Sequence, residues 1–171
     1  MNDLVKPPAL RVYNWTSDEF LLLDWYNNLV TSGDHYLMFD RDMRYVSNFL
    51  AFFKPPQTLA YAVDKGGIWF AYWLSPYMSG ATVGLWVREE KRAAKTTFEL
   101  LIECFNESFK TVTVLVTITK QESVGAYFTK LGGVYGMTIP ALCNGEDVSI
   151  FTMTRGQWEA RNHVVSIRRR Q

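Results

Sequence analysis

Few residues in this 171-residue chain suit the commonest reactive or cross-linking chemistry. It has two cysteines, Cys104 and Cys143, too few for a disulfide framework and without metal-site spacing. The expectation is two free thiols in a reducing compartment and no bound metal. It has two histidines, His35 and His163, and no Ser-His-Asp or Cys-His ordering. The net charge is +1, which argues against broad electrostatic capture of nucleic acid or a membrane surface. Arg168-Arg169-Arg170 is the local exception. A lone cluster supplies few phosphate contacts, so it reads as a solvated terminal tip. No apolar run is long enough to span a bilayer. Met1 to Pro8 carries two prolines and no apolar stretch, so it does not read as a signal peptide. The expected location is cytoplasmic.

What the chain has in quantity is apolar and aromatic surface. Apolar residues make up 48 % and charged residues 20 %, a globular balance. The aromatic share of 15 % can fill a core or line a groove. At this length one domain is expected, with a core from 10 to 154 and a basic tail from 155 to 171.

Periodicity supplies the element order. Leu10 to Trp15 reads as a strand. Thr16 or Ser17, with Asp18 and Glu19 behind it, reads as a helix start. Leu22, Trp25, Tyr26, Leu29 and Val30 then form an apolar stripe, ended by Ser32-Gly33-Asp34. Tyr45, Phe49, Phe52 and Phe53 suit a short second helix, stopped by Pro55-Pro56. Thr58–Val63, Ile68–Leu74 and Ala81–Val87 form a three-strand meander with a turn at Asp64-Lys65-Gly66-Gly67. Lys91 to Phe109 is a strong helix with Phe98, Leu101, Ile102, Phe105 and Phe109 as its buried stripe. Val112, Val114, Val116 and Ile118 alternate with threonines, as a half-buried strand does. Glu122 to Leu131 is a helix with Val124, Tyr127, Phe128 and Leu131 on one face, stopped by Gly132-Gly133. Val134–Thr138 and Val148–Thr154 are the last strands, joined through Asn144-Gly145. Trp158 to Gln171 has weak structure signals.

This order, with Ala126-Tyr127-Phe128-Thr129-Lys130-Leu131-Gly132-Gly133 closing a helix, resembles the GNAT N-acetyltransferase superfamily over roughly Leu10 to Thr154. The resemblance implies an α/β fold: a mixed sheet of about seven strands with flanking helices, β1-α1-α2-β2-β3-β4-α3-β5-α4-β6-β7. It also implies an acyl-CoA-dependent N-acyltransferase that moves an acetyl group from acetyl-CoA to an amine acceptor. In that family acyl-CoA lies where the fourth and fifth strands splay. A backbone amide near the end of the fourth strand polarises the thioester carbonyl, and the next helix start holds the pyrophosphate.

Carried onto this chain, the carbonyl-binding backbone falls on Trp86 and Val87. The phosphate loop falls on Lys91-Arg92-Ala93-Ala94-Lys95-Thr96. The family's two glycines are Ala94 and Thr96 here, so a Cβ stands where the family has none; Lys91, Arg92 and Lys95 offer charge instead. The asparagine that often opens the later helix is Gln121. The family's proton-donating tyrosine falls on Phe128, which has no proton to give. Tyr127 and Tyr135 are the nearby phenols, and Tyr127 is expected to point elsewhere on the helix. Glu19, Asp64, His35 and Glu122 are candidate bases, and His163 reads as incidental. Tyr36, Phe39, Tyr45, Phe49 and Phe52 suggest an aromatic wall for the acceptor.

The missing glycines and tyrosine also fit a GNAT-like chain that has lost catalysis. Ser149 to Thr154 followed by Arg155-Gly156 resembles the ending of internal virion proteins of short-tailed bacteriophages. That resemblance implies a structural, virion-associated or host-protein-binding role.

Overall fold

The computed structural model describes residues 9–34, 41–143 and 145–168. His35, Tyr36, Phe39 and the arginines Arg169 and Arg170 lie outside them, as does Asn144 of the expected last turn. Seven strands form one mixed sheet: β1 (Arg11–Val12), β2 (Thr58–Asp64), β3 (Gly67–Tyr77), β4 (Gly80–Val87), β5 (Val114–Thr119), β6 (Val134–Cys143) and β7 (Glu146–Thr154). Their order across the sheet is β1-β2-β3-β4-β5-β7-β6. Among the described residues five α-helices flank it: α1 (Glu19–Ser32), α2 (Val46–Phe52), α3 (Lys95–Thr111), α4 (Glu122–Lys130) and α5 (Arg155–Arg168). This is the expected order with one addition.

The addition is α5. Residues 155–168 were expected as part of a weakly structured tail. Instead Trp158 is only 2 % exposed, its ring stacks on Phe109, and its indole N–H donates to Asn106 at 2.9 Å. A buried indole of this size anchors the first turn of the helix on α3. Sequence periodicity carries no signal from a single anchor.

Two apolar layers sandwich the sheet. On one face α1 and α2 bury Leu22, Trp25, Leu29, Phe49 and Phe53 against Leu59, Tyr61, Ile68, Trp73 and Trp86. On the other, α3, α4 and α5 bury Leu101, Phe105, Phe109, Phe128 and Trp158 against Phe70, Tyr72, Val83, Val87, Leu115 and Met153. With both faces covered, β3 is buried from Ile68 through Trp73 without alternation, as a central strand should be.

The burial on β5 differs from the expectation. Leu115 and Thr117 are its buried residues, while Val114 and Val116 are half-buried and Ile118 is 48 % exposed. The outer end of β5 leaves the sheet's cover, so its β-branched residues there meet solvent. Helix α3 is also shorter than expected: a 3-10 turn (Glu89–Lys91) precedes it, and the α-helix begins at Lys95. Its buried side includes Thr97, Leu100 and Cys104, while Phe98 and Ile102 are only partly covered. β1 shrinks to two residues, and Asp18, not a hydroxyl, stands at the N-cap of α1.

Candidate donor cleft between β4 and β5

Among the described residues β4 and β5 are the one parallel pair in a sheet otherwise paired antiparallel. Both strands therefore end at the same edge, the usual place for a ligand in an α/β sheet. Their ladder runs from Gly80↔Val114 to Val83↔Thr117 and stops. The Thr117 hydroxyl clasps the Val83 carbonyl at 3.1 Å at that last pairing. Beyond it, Gly84–Val87 pair only with β3, and a wedge opens.

The hydrogen-bond alternation of the β3–β4 pair says which amides face the wedge. Arg88 N–H donates to the Trp69 carbonyl at 2.9 Å. In an antiparallel ladder the bonded side alternates residue by residue. Trp86 therefore bonds toward β3, and the N–H groups of Leu85 and Val87 point to the open side. Of the two expected carbonyl-binding positions, Val87 meets the geometry and Trp86 does not. Leu85 is the residue sequence reading missed, although strand parity alone predicts it once Val87 is accepted.

Side chains close the wedge. Leu85, Trp86, Val87, Arg92, Gln121, Ser123, Val124 and Tyr127 line it, around about 20 Å³ of free space. That is room for a water or so. Outside it, an open groove of about 630 Å³ runs between the start of α3 and α4, lined by Ala93, Lys95, Phe98, Ser123, Ala126, Tyr127 and Lys130. Ala94 caps α3 in an extended conformation with no side-chain hydrogen bond. Thr97 N–H turns back to the Ala94 carbonyl at 3.1 Å. The amides of Lys95 and Thr96, in the first turn, have no carbonyl one turn back to bond.

The cations around that helix start differ in commitment. Lys95 is 90 % exposed and pairs with Glu99 at 3.4 Å. Lys91 sits 5.8 Å over the Trp69 ring, and its carbonyl accepts from the Thr97 hydroxyl at 2.6 Å. Lys130, unassigned by the sequence, lies 4.4 Å over the Phe98 ring at the groove wall. Arg92 lies across the wedge mouth. Its Nε donates to the Val87 carbonyl at 3.1 Å, and its Nη2 is 3.7 Å from Asp34 Oδ2. Asp34 Oδ2 also accepts the Trp86 indole N–H at 2.9 Å.

The two candidate phenols separate. Phe128 points into the core, between Phe105 and Phe151. One residue back is about 100° round the helix, which turns Tyr127 toward α3 and the wedge; its ring is 5.2 Å from that of Phe98. The expectation that Tyr127 points elsewhere is therefore corrected. Burial raises its hydroxyl pKa, and the nearby Arg92 charge partly opposes the rise. Tyr135 lies on edge strand β6, two strands beyond β5. It is half exposed, and its hydroxyl shares a hydrogen bond with Thr138 at 2.9 Å. The structure does not bring it to the wedge.

Gln121 lines the wedge, and its backbone N–H bonds the Thr119 hydroxyl at 2.9 Å. None of the described candidate bases does. Asp64 accepts from Gly66 N–H at 2.8 Å and from Arg88 at 3.1 Å. Glu19 and Glu122 are exposed in the first turns of α1 and α4. In the expected aromatic wall, Phe49 is a core residue and Tyr45 is 69 % exposed.

No family model matches the sequence, and no curated protein does either. Solved structures do match. A variant of spermidine N-acetyltransferase SpeG from Vibrio cholerae aligns with a TM-score of 0.67 at 12 % identity, over 90 % of this chain and 99 % of that one. YncA from Salmonella typhimurium, described as an acetyltransferase and solved with acetyl-CoA, aligns with a TM-score of 0.68 at 11 % identity, over 87 % and 94 %. A ribosomal-protein-alanine N-acetyltransferase from Brucella melitensis aligns with a TM-score of 0.65 at 16 % identity, over 85 % and 99 %. Each likeness spans nearly the whole partner at low identity, so what it establishes is architecture: this chain has the GNAT N-acetyltransferase fold.

Proposed function

We propose that the protein is an acyl-CoA-dependent N-acetyltransferase that binds its donor in the β4–β5 wedge and the adjoining groove. The observation that carries this reading is the ladder ending at Val83↔Thr117, which turns the Leu85 and Val87 amides into an opening floored by a helix start. The donor set suits the ligand. Uncapped amides of Lys95 and Thr96, with Lys95 and Lys130 on the groove walls, match a pyrophosphate. The Ala94 and Thr96 side chains limit how closely phosphate approaches, and the lysines supply charge in compensation.

In this reading the pantetheine arm enters between β4 and α4. The amides of Leu85 and Val87 donate to the thioester oxygen and stabilise the charge that develops on it. The neutral amine nitrogen attacks the carbonyl carbon, the C–S bond breaks, and the proton the nitrogen sheds as the amide forms leaves through solvent. Tyr127, half-buried with its pKa raised by desolvation, gives its proton to the departing thiolate and regains one from solvent. Acceptor identity is open: a small amine, a peptide or a protein lysine all present the same nucleophile.

Calorimetric titration with acetyl-CoA tests the reading directly. Saturable binding is expected, and none at millimolar ligand overturns it. The narrowness of the wedge favours a second reading, a GNAT-fold chain without catalysis that serves in a virion or on a host protein. Stoichiometric presence in purified particles, with no acetyl-CoA binding, is the outcome that reading expects.

A further inference from the structure

We infer that Asp34 competes with the donor's phosphates for Arg92, so that donor binding is coupled to release of Arg92 from Asp34. The inference rests on the donor site proposed above and concerns how that site is regulated.

The sheet separates the two partners of Arg92. The donor groove lies on the α3–α4 face, with Lys95 and Lys130. Asp34 lies just past α1, on the opposite face, hydrogen-bonded to the Trp86 indole. Arg92 joins them, reaching one way to the Val87 carbonyl and the other to Asp34. Its guanidinium crosses a mouth that leaves about 20 Å³ inside. That space is smaller than a pantetheine arm, so donor entry needs the lining to move, and Arg92 is the lining residue held from the far face.

Three properties make this contact an exchangeable one. The Arg92–Asp34 separation is 3.7 Å, an ion pair longer than a direct hydrogen bond. Both side chains keep solvent access, at 37 % and 19 %, so the pair is weak. Asp34 keeps the Trp86 indole N–H and part of its solvent access when the arginine leaves, so its charge is not stranded without a donor. A pyrophosphate at the start of α3, the residues next to Arg92 in sequence, offers the guanidinium two oxygens in a matched fork and more charge than one carboxylate. Arg92 then moves to the donor face, the mouth opens, and Asp34 is left without its cation. Asp34 is a positioning residue here: it touches no reacting atom and acts through Arg92.

The test is a double-mutant cycle read by calorimetric titration with CoA on the full chain. Asp34→Asn keeps an acceptor for the Trp86 indole and removes the competing charge. CoA is expected to bind about fivefold tighter to it than to the unaltered chain, the size of a part-exposed ion pair. Arg92→Gln is expected to weaken CoA. In the Arg92→Gln background, Asp34→Asn is expected to change nothing, because the coupling has lost its other partner. Asp34→Ser provides a second neutral side chain should Asp34→Asn not fold. Unchanged CoA affinity in a folded Asp34 variant overturns the coupling while leaving the donor site standing. So does tightening that persists without Arg92, since that is a general charge effect. If the unaltered chain binds no CoA, the donor site fails and the coupling with it.

Discussion

At Tyr127 and Phe128 a one-residue offset decides which ring meets the cleft. Phe128 is 4 % exposed and sits edge-on to Phe105; a hydroxyl added there needs a partner the core does not offer. Tyr127 has the phenol at the wedge. Tyr127→Phe removes the proton and little else, since the ring keeps its packing on Phe98. Its kcat is expected to fall about a hundredfold or more, the lower range for a general acid, with acetyl-CoA affinity unchanged. A drop smaller than threefold in steady-state assays would remove Tyr127 from that role. Counting back from Gly132 finds the family position and leads to Phe128, so sequence alone could name Tyr127 only as a neighbour. Its direction depends on where α3 and β4 lie, and that is tertiary information. Asp34 was visible only as part of a helix stop; nothing in the local pattern connects it with Trp86 or Arg92, 52 and 58 positions later in the numbering.

Strands and helices were more legible than side-chain partners, for a physical reason. Period-2 and period-3.6 patterns are local, and the elements from β2 to α4 lie within a few residues of where the sequence places them, even β3, whose burial does not alternate. The wedge was anticipated through the family resemblance, but its depth follows from the register at Val83↔Thr117, which no single strand encodes. Helix α5 is anchored in its first turn by Trp158, and a single position makes no periodic stripe. The β3–β4 pair that supports the wedge depends on a glycine. Trp73 and Gly84 are directly opposite, and a Cβ built on Gly84 would fall within the Trp73 indole. The indole cannot yield easily, because it also packs against Trp25 and Phe53. Gly84→Ala is therefore expected to cost about 3 kcal/mol, at the upper end for overpacking. Urea unfolding measures it. The neighbouring amide of Leu85 shifts with the strand, so donor binding is expected to weaken in the same variant. Full stability in Gly84→Ala would mean the indole has another place to go.

Across the whole molecule, pH is expected to limit stability from both sides, through a cluster where the α1 start meets β2. Asn14 N–H donates to Asp18 Oδ2 at 2.9 Å, and this bond, first among several contributions, holds the Asp18 pKa below its ordinary value. At the β2–β3 turn, burial alone would raise Asp64, but the Gly66 N–H and the Arg88 guanidinium outweigh it and leave the pKa lowered. A lowered folded-state pKa stabilises the fold fully above the unfolded value, near 4, and the benefit fades as pH falls through the folded value. The tyrosines act in the opposite sense. Desolvation first, then the charges of Glu19 and Asp18, push Tyr13 up to about 12. Tyr61, whose hydroxyl donates to Asp18 at 3.3 Å, is raised by burial and by that carboxylate. A raised folded-state pKa contributes fully below the unfolded value, near 10, and is lost as pH climbs through the folded one. Urea midpoints are thus expected to be level between about pH 5 and 9 and to decline beyond both ends. Because Asp18 takes part in both limbs, Asp18→Asn is expected to shallow the acid decline and, by removing the charge that raises Tyr13 and Tyr61, the alkaline decline too. A variant whose acid limb changes while its alkaline limb stays fixed would show that burial alone holds the two tyrosines protonated.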